Sequence, residues 1–168
     1  FRLQAPHATR SHLHGSTNST TTLTLARPRV QPYSRLMALK TMGIVKNYER
    51  VRDFSIAVVG IGGVGVGVVE MLTRCGIGKI VVYDDDTIEL ANMNKMFYRP
   101  EQAGWNKTMA CRHYCSELNP DTTFEVHNMN IAAPENSSKF KETISTGALD
   151  RKSPVSLVIG CGASTEAR

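Results

Sequence analysis

Ser55-Ile56-Ala57-Val58-Val59-Gly60-Ile61-Gly62-Gly63-Val64-Gly65 is the stretch on which the reading of this chain turns. An apolar, partly β-branched run opens into a glycine turn, and a helical pattern follows it. The predicted order is strand over 55–59, turn, then helix over 64–75. A second apolar run over 79–83 reads as another strand and ends in Asp84, Asp85 and Asp86. Glycines allow a sharp turn and let a phosphate come close to the main chain. A helix start adds unpaired N–H groups and the positive end of a dipole. Asp84 lies nineteen positions after Gly65, near the roughly 20 expected of a carboxylate that grips ribose hydroxyls. A nucleotide site is expected here, with a plain strand–turn–helix as the alternative. Gly60, Gly62 and Gly65 also satisfy the G-x-G-x-x-G pattern of dinucleotide enzymes, so the glycines alone leave the nucleotide open.

The next residues lean towards a triphosphate. Glu89 through Lys95 and Gln102 through Lys107 supply amides and lysines rather than the surroundings of a nicotinamide. Asn92 can donate and accept at a phosphate or a ribose. Lys107 opens a second predicted helix, over 107–118. The dipole there is positive, so a lysine is unfavourable unless an anion sits nearby. A phosphate would remove the conflict, and a solvated lysine is the other reading.

The remaining pattern is alternating. Strands are expected over 124–128 and 155–160, a helix over 135–144, and a short helix or turn over 89–94. A β–α–β series of this kind makes an α/β fold with a mainly parallel sheet. In the first helix, Val64, Val68, Met71, Leu72 and Cys75 recur at helical spacing and are expected to face the sheet. Glu70 and Arg74 are expected outside, as a pair four apart.

Charge divides the chain. Its formal net charge is +5 over 168 residues, yet residues 1–48 hold seven Lys or Arg and no acid, against 13 basic and 15 acidic residues in the remainder. The basicity belongs to the N-terminal tail. Residues 1–30, rich in Ser, Thr and Arg, are expected to be disordered, with an organelle-targeting role as the alternative. No aromatic residues interleave the tail's charges as nucleic-acid binding would require. No apolar run has membrane-span length. Cys75, Cys111, Cys115 and Cys161 form no metal-ligand spacing, and Cys111 and Cys115 read as one packed helix face. Such cysteine usage suits a reducing compartment, and the cytoplasm is expected.

Further segments carry a resemblance: residues 31–35, 36–40, 42–45, 70–78 and 89–94. In these, the chain resembles the ThiF-like activating enzymes of a ubiquitin-fold modifier, from about Pro32 to Arg168. The resemblance implies a Rossmann-like, ThiF-type adenylation domain beginning near residue 31. It implies a homodimer that uses ATP and Mg²⁺ to adenylate the modifier, then a cysteine thioester and delivery to a conjugating enzyme. The resemblance assigns the ATP site to Gly63, Asp84, Lys107 and Asn130. It matches Asn92 to the asparagine of an N-x-x-R element. It matches Arg35 to an arginine that reaches the phosphates of the partner protomer's site.

Three departures stand out. Lys95 occupies the place of the arginine in that element, keeping the charge but losing the planar fork. Ala163 and Ser164 replace an aspartate and an asparagine of a C-x-D-N element that helps to hold Mg²⁺. The resemblance also implies a catalytic cysteine and four zinc-binding cysteines beyond Arg168, so neither a catalytic residue nor a metal ligand is expected in this chain. Residues 31–168 are therefore expected to form the N-terminal half of such a domain, in an incomplete or inactive form. An NAD-dependent oxidoreductase and a catalytically dead nucleotide-binding or dimerisation module are the alternatives.

Overall fold

Short runs of β-branched and apolar residues, each bounded by glycine or a turn, build the sheet. The computed structural model describes residues 33–162. The expected tail over 1–30, Ala163 and Ser164 lie outside the described residues. Helix α1 (Ser34–Thr41) and a 3-10 turn (Tyr48–Asp53) precede strand β1 (Ser55–Val59). Helix α2 (Gly63–Cys75) leads to β2 (Lys79–Tyr83). Two 3-10 turns (Leu90–Asn94 and Pro100–Gln102) then lead to α3 (Lys107–Leu118) and β3 (Thr123–His127). Helix α4 (Pro134–Thr146) and strand β4 (Leu157–Gly160) follow.

The strands form one four-stranded sheet in the order β3-β2-β1-β4, and all pairings are parallel. The α/β expectation holds, with a Rossmann-like layout of parallel strands and flanking helices. The chain moves outward from β1 to β3 and then returns to the other side of β1. That reversal leaves a crevice beyond the carboxyl ends of β1 and β4, where ligands bind in open α/β sheets. Strands β1 and β2 and helices α2 and α3 fall where they are predicted. Strand β3 starts one residue early, and β4 begins at Leu157 because Val155 donates instead to the Ile144 carbonyl, at 2.9 Å.

Helix α2 is turned relative to the expectation. Its buried residues are Gly65, Val66, Val69, Glu70 and Thr73. Val64 is 70% exposed, Met71 is 51% exposed and Cys75 is exposed, while Val68 and Leu72 pack only partly against the core. The cause is Gly65. A Cβ there would lie 1.9 Å from the Gly60 carbonyl oxygen, so the helix presents its glycine at the turn and the rest of the face follows. Glu70 is buried rather than outside. Arg74 Nε and Nη2 donate to its Oε1 at 2.9 and 2.8 Å, which offsets the burial of its charge.

The core lies on both faces of the sheet. Ile56, Val58, Ile80 and Val82 pack beneath α2 and α3 with Val66, Val69, Cys111 and Cys115. Cys111 and Cys115 are thus packed side chains, as expected. Ala57, Val59, Val81 and Tyr83 form a smaller cluster under α4 with Phe140 and Ile144. Among the described residues, no helix is long and apolar enough to cross a membrane.

Candidate functional site at the carboxyl ends of the strands

The turn after β1 is shaped by how closely backbone segments approach one another. Gly60 has φ +88°, and a Cβ on it would meet the Gly162 backbone at 2.7 Å. Gly60 and Gly65 are therefore required by the fold. Gly62 and Gly63 differ, since a Cβ on either would meet nothing within 4 Å. Gly63 is the first residue of α2, and no side chain caps that helix end. The first N–H groups of a helix have no intrahelical partner. The result is an uncapped helix start with room in front of it, the geometry of an anion cradle.

Beside the turn is a cleft of about 190 Å³. Gly60, Asp84, Asp85, Asp86, Asn130 and Gly162 supply its polar wall, with Met129 and Ile131 as apolar cover. Asp84 ends β2 and is held on two sides. Its Oδ2 accepts from the Ile61 N–H at 2.6 Å and its Oδ1 from the Asp86 N–H at 2.9 Å. Burial pushes the Asp84 carboxyl above its ordinary range, and those two N–H groups and the Lys107 charge pull against that rise. Atoms of Asp84, Asp85 and Asp86 lie within 4.8 Å of one another.

Lys107 opens α3 and is 6% exposed, so it is not a solvated lysine. Its Nζ pairs with Asp86 Oδ2. An anion does resolve the conflict with the helix dipole, and in this structure it is a carboxylate. Asn130 follows β3. Its Oδ1 accepts from the Ala132 N–H at 2.9 Å, and its backbone carbonyl accepts from Asn136 Nδ2 at 2.8 Å. The Cys161 thiol, next to Gly162, is pushed up by burial.

Other expected residues stand apart from this cleft. Asn92 lies in the 3-10 turn over Leu90–Asn94, where its Oδ1 accepts from the Glu89 N–H at 3.2 Å. Lys95 is half-buried just after that turn, and Arg35 is exposed on α1. None of the three lines the cleft. Reasoning from sequence missed Ile61 as the residue that Asp84 grips, Asp86 as the partner of Lys107, and Tyr98, whose hydroxyl reaches the glycine turn. Each is a long-range pairing, and no local spacing announces it.

Comparison with known proteins shows the family. The ThiF family model matches residues 33–168. The chain is 56% identical over 137 residues to the ubiquitin-like modifier-activating enzyme 5 of Gallus gallus, covering 82% of this chain and 34% of that protein. The same identity over the same length relates it to the enzyme of that name from Dictyostelium discoideum, of which 36% is covered. The chain thus spans about a third of the length of the curated relatives it matches. Among solved structures, that of the E. coli tRNA N6-threonylcarbamoyladenosine dehydratase in complex with ATP superposes with a TM-score of 0.64 and 26% identity. The match covers 79% of this chain and 50% of that one.

Proposed function

We propose, from the premise that this chain belongs to the ThiF family, that it binds ATP at the carboxyl ends of β1 and β2 as part of an adenylating enzyme for a ubiquitin-fold modifier. One observation carries the reading: the uncapped start of α2 faces open space at Gly62 and Gly63, beside the cleft walled by Asp84 and Asn130. Phosphates would lie on the Gly63 N–H side. Asp84 and Asn130 would hold the nucleoside, and Lys107 would offset phosphate charge. The likeness to modifier-activating enzymes and to an ATP-bound structure supports this reading over an NAD-dependent one.

Finer parts of the proposal rest on the resemblance. Residues 31–168 are its adenylation segment. Asn92 and Lys95, at the positions of the N-x-x-R element, would engage phosphates, and Arg35 would serve the partner's site in an assembled homodimer. The donors near the cleft are carboxylate oxygens, which suit Mg²⁺. Bound Mg²⁺ would stabilise charge on the leaving pyrophosphate. Zinc belongs to the resembling enzymes and has no ligand set among the described cysteines. The proposed partners are the modifier and its conjugating enzyme, and the proposed compartment is the cytoplasm. With Ala163 and Ser164 in place of the metal-holding pair, the segment is proposed to bind nucleotide with weakened Mg²⁺-dependent adenylation.

Ligand-dependent melting tests the core of this. ATP with Mg²⁺ at about 100 times its Kd should add roughly 2.7 kcal/mol of stability, and NAD should add none. Gly63→Val should fold, since its Cβ meets open space, and should lose ATP binding. Unchanged ATP affinity in that variant, or stabilisation by NAD alone, overturns the proposal.

A further inference from the structure

Ile61 sits in the middle of the glycine turn with its side chain fully buried. Both of its backbone polar groups are taken. Its N–H donates to Asp84 Oδ2 at 2.6 Å, and its carbonyl accepts from the Tyr98 hydroxyl at 2.7 Å. One residue of the turn is thus gripped from two sides, by the end of β2 and by the segment between β2 and α3. The two residues that follow are Gly62 and Gly63. They have no side chain to hold them and more backbone freedom to lose than any other residue.

Tyr98 is built to hold its place. It is 6% exposed and 37 positions away from Ile61 in sequence. Phe97 before it has φ +53°, in the left-handed region that bulky residues avoid. The Phe97 ring stacks on Tyr114 of α3 at 4.7 Å and meets Tyr98 edge-on at 5.2 Å. A backbone conformation of this kind persists only where its surroundings over-determine it. Burial pushes the Tyr98 hydroxyl far above its ordinary range, which keeps it a donor at every working pH.

We propose that Tyr98 is a positioning residue for the anion cradle: by holding the Ile61 carbonyl, its hydroxyl aims the N–H groups of Gly62 and Gly63 at a bound phosphate. Asp84 does the same from the N–H side, so the turn is locked from both. The inference rests on the nucleotide reading above and names what regulates the shape of that site. Tyr98 touches no ligand itself.

The test is Tyr98→Phe, which keeps the ring and removes only the hydroxyl. In the nucleotide-free protein, amide exchange over residues 60–66 should quicken by up to about tenfold, the scale of one net hydrogen bond. Exchange in β3 should not change. ATP affinity should fall roughly three- to tenfold and adenosine affinity by less than about twofold, because only the phosphates use the turn. Ile144→Ala, in the separate cluster under α4, is the contrast: it lowers stability and keeps the ratio of ATP to adenosine affinity. Unchanged exchange at 60–66, equal losses for the two ligands, or a Tyr98→Phe chain that fails to fold would each overturn the proposal. A wild-type chain that ignores ATP would overturn the nucleotide reading instead, and the exchange rates would still decide the role of Tyr98.

Discussion

On one face of the sheet, Ile56, Val58, Ile80 and Val82 meet α2 and α3, whose own Val66, Val69, Ala110, Cys111 and Cys115 are fully buried. On the other face, Ala57, Val59, Val81 and Tyr83 meet α4, in which no residue is buried. Phe140 and Ile144 are the large apolar side chains that α4 offers, and both are only partly covered. A polar cleft of about 650 Å³ opens on that side, lined by Lys79, Phe124, Glu125, Lys139, Glu142 and Thr143 among others. The rigid face is the one that carries the anion cradle, since α2 begins at the turn and α3 begins at Lys107. Tight packing there sets the direction of both helix starts. The looser face has no such duty, and its ion pairs partly replace apolar contact.

The largest expected effect tests the rigid face directly. Gly65→Ala puts a methyl carbon 1.9 Å from the Gly60 carbonyl oxygen, and neither backbone segment can give way without moving α2. The cost should reach about 3 kcal/mol or more, a large fraction of a domain's total stability, read as a much lowered midpoint in a denaturant titration. Gly63→Ala, two residues earlier in the same turn, should cost little in stability. Comparable stability in the two variants would show that the turn is softer than the close approach requires.

A matched pair then compares the faces. Ile80→Ala removes a fully buried side chain beneath α2 and α3 and should cost about 3 kcal/mol. Phe140→Ala deletes a larger side chain from α4 and would cost about as much in a well-packed site. Its partial exposure should hold the loss to about 1 kcal/mol. Urea unfolding of both variants reads the difference. Equal losses would mean that α4 is as firmly docked as α2.

Much of this fold was readable without a structure, and the physical reasons are specific. The runs Ser55–Val59 and Lys79–Tyr83 are β-branched, short and bounded by glycine or acids, so strand bounds follow from composition. Lys107–Leu118 is bounded by Asn106 before it and Asn119 after it. The rotation of α2 was not readable, because Val64, Val66, Val68, Val69, Met71 and Leu72 leave hardly any polar side to orient it. Periodicity needs contrast, and this helix has too little. A single close approach at Gly65 decides the matter instead. Within the site, Gly60, Asp84 and Asn130 do line one cleft, but the Asp86 partner of Lys107 and the Tyr98 hydroxyl depend on pairings across 21 and 37 positions. Residues that meet only through the tertiary fold leave no local signature.

The smallest expected effect belongs to the looser face and concerns pH. Lys79 Nζ lies 2.7 Å from Glu125 Oε2, and His127 Nε2 lies 2.8 Å from Glu125 Oε1. The His127 ring in turn stacks on Tyr83 at 4.8 Å. Burial pushes the Glu125 carboxyl up, but the Lys79 ammonium and the His127 ring outweigh it and hold the group below its ordinary 4.5. A carboxyl depressed by folding binds its proton more readily in the unfolded chain. Its contribution to stability is therefore complete above about 4.5 and is lost as pH falls through the lower folded value. Glu125 is more than a third exposed, so solvent screens the pair and the effect should be modest. Melting temperatures of the wild type and of Glu125→Gln, taken from pH 7 down to pH 3, measure it. The wild type should be the more stable at pH 7, and the gap should close below pH 4.5. A gap that stays constant across that range would mean that Glu125 acts through packing under α4 rather than through its charge. The looser face would then owe its stability to apolar contact after all, and the contrast with the α2 face would be one of degree only.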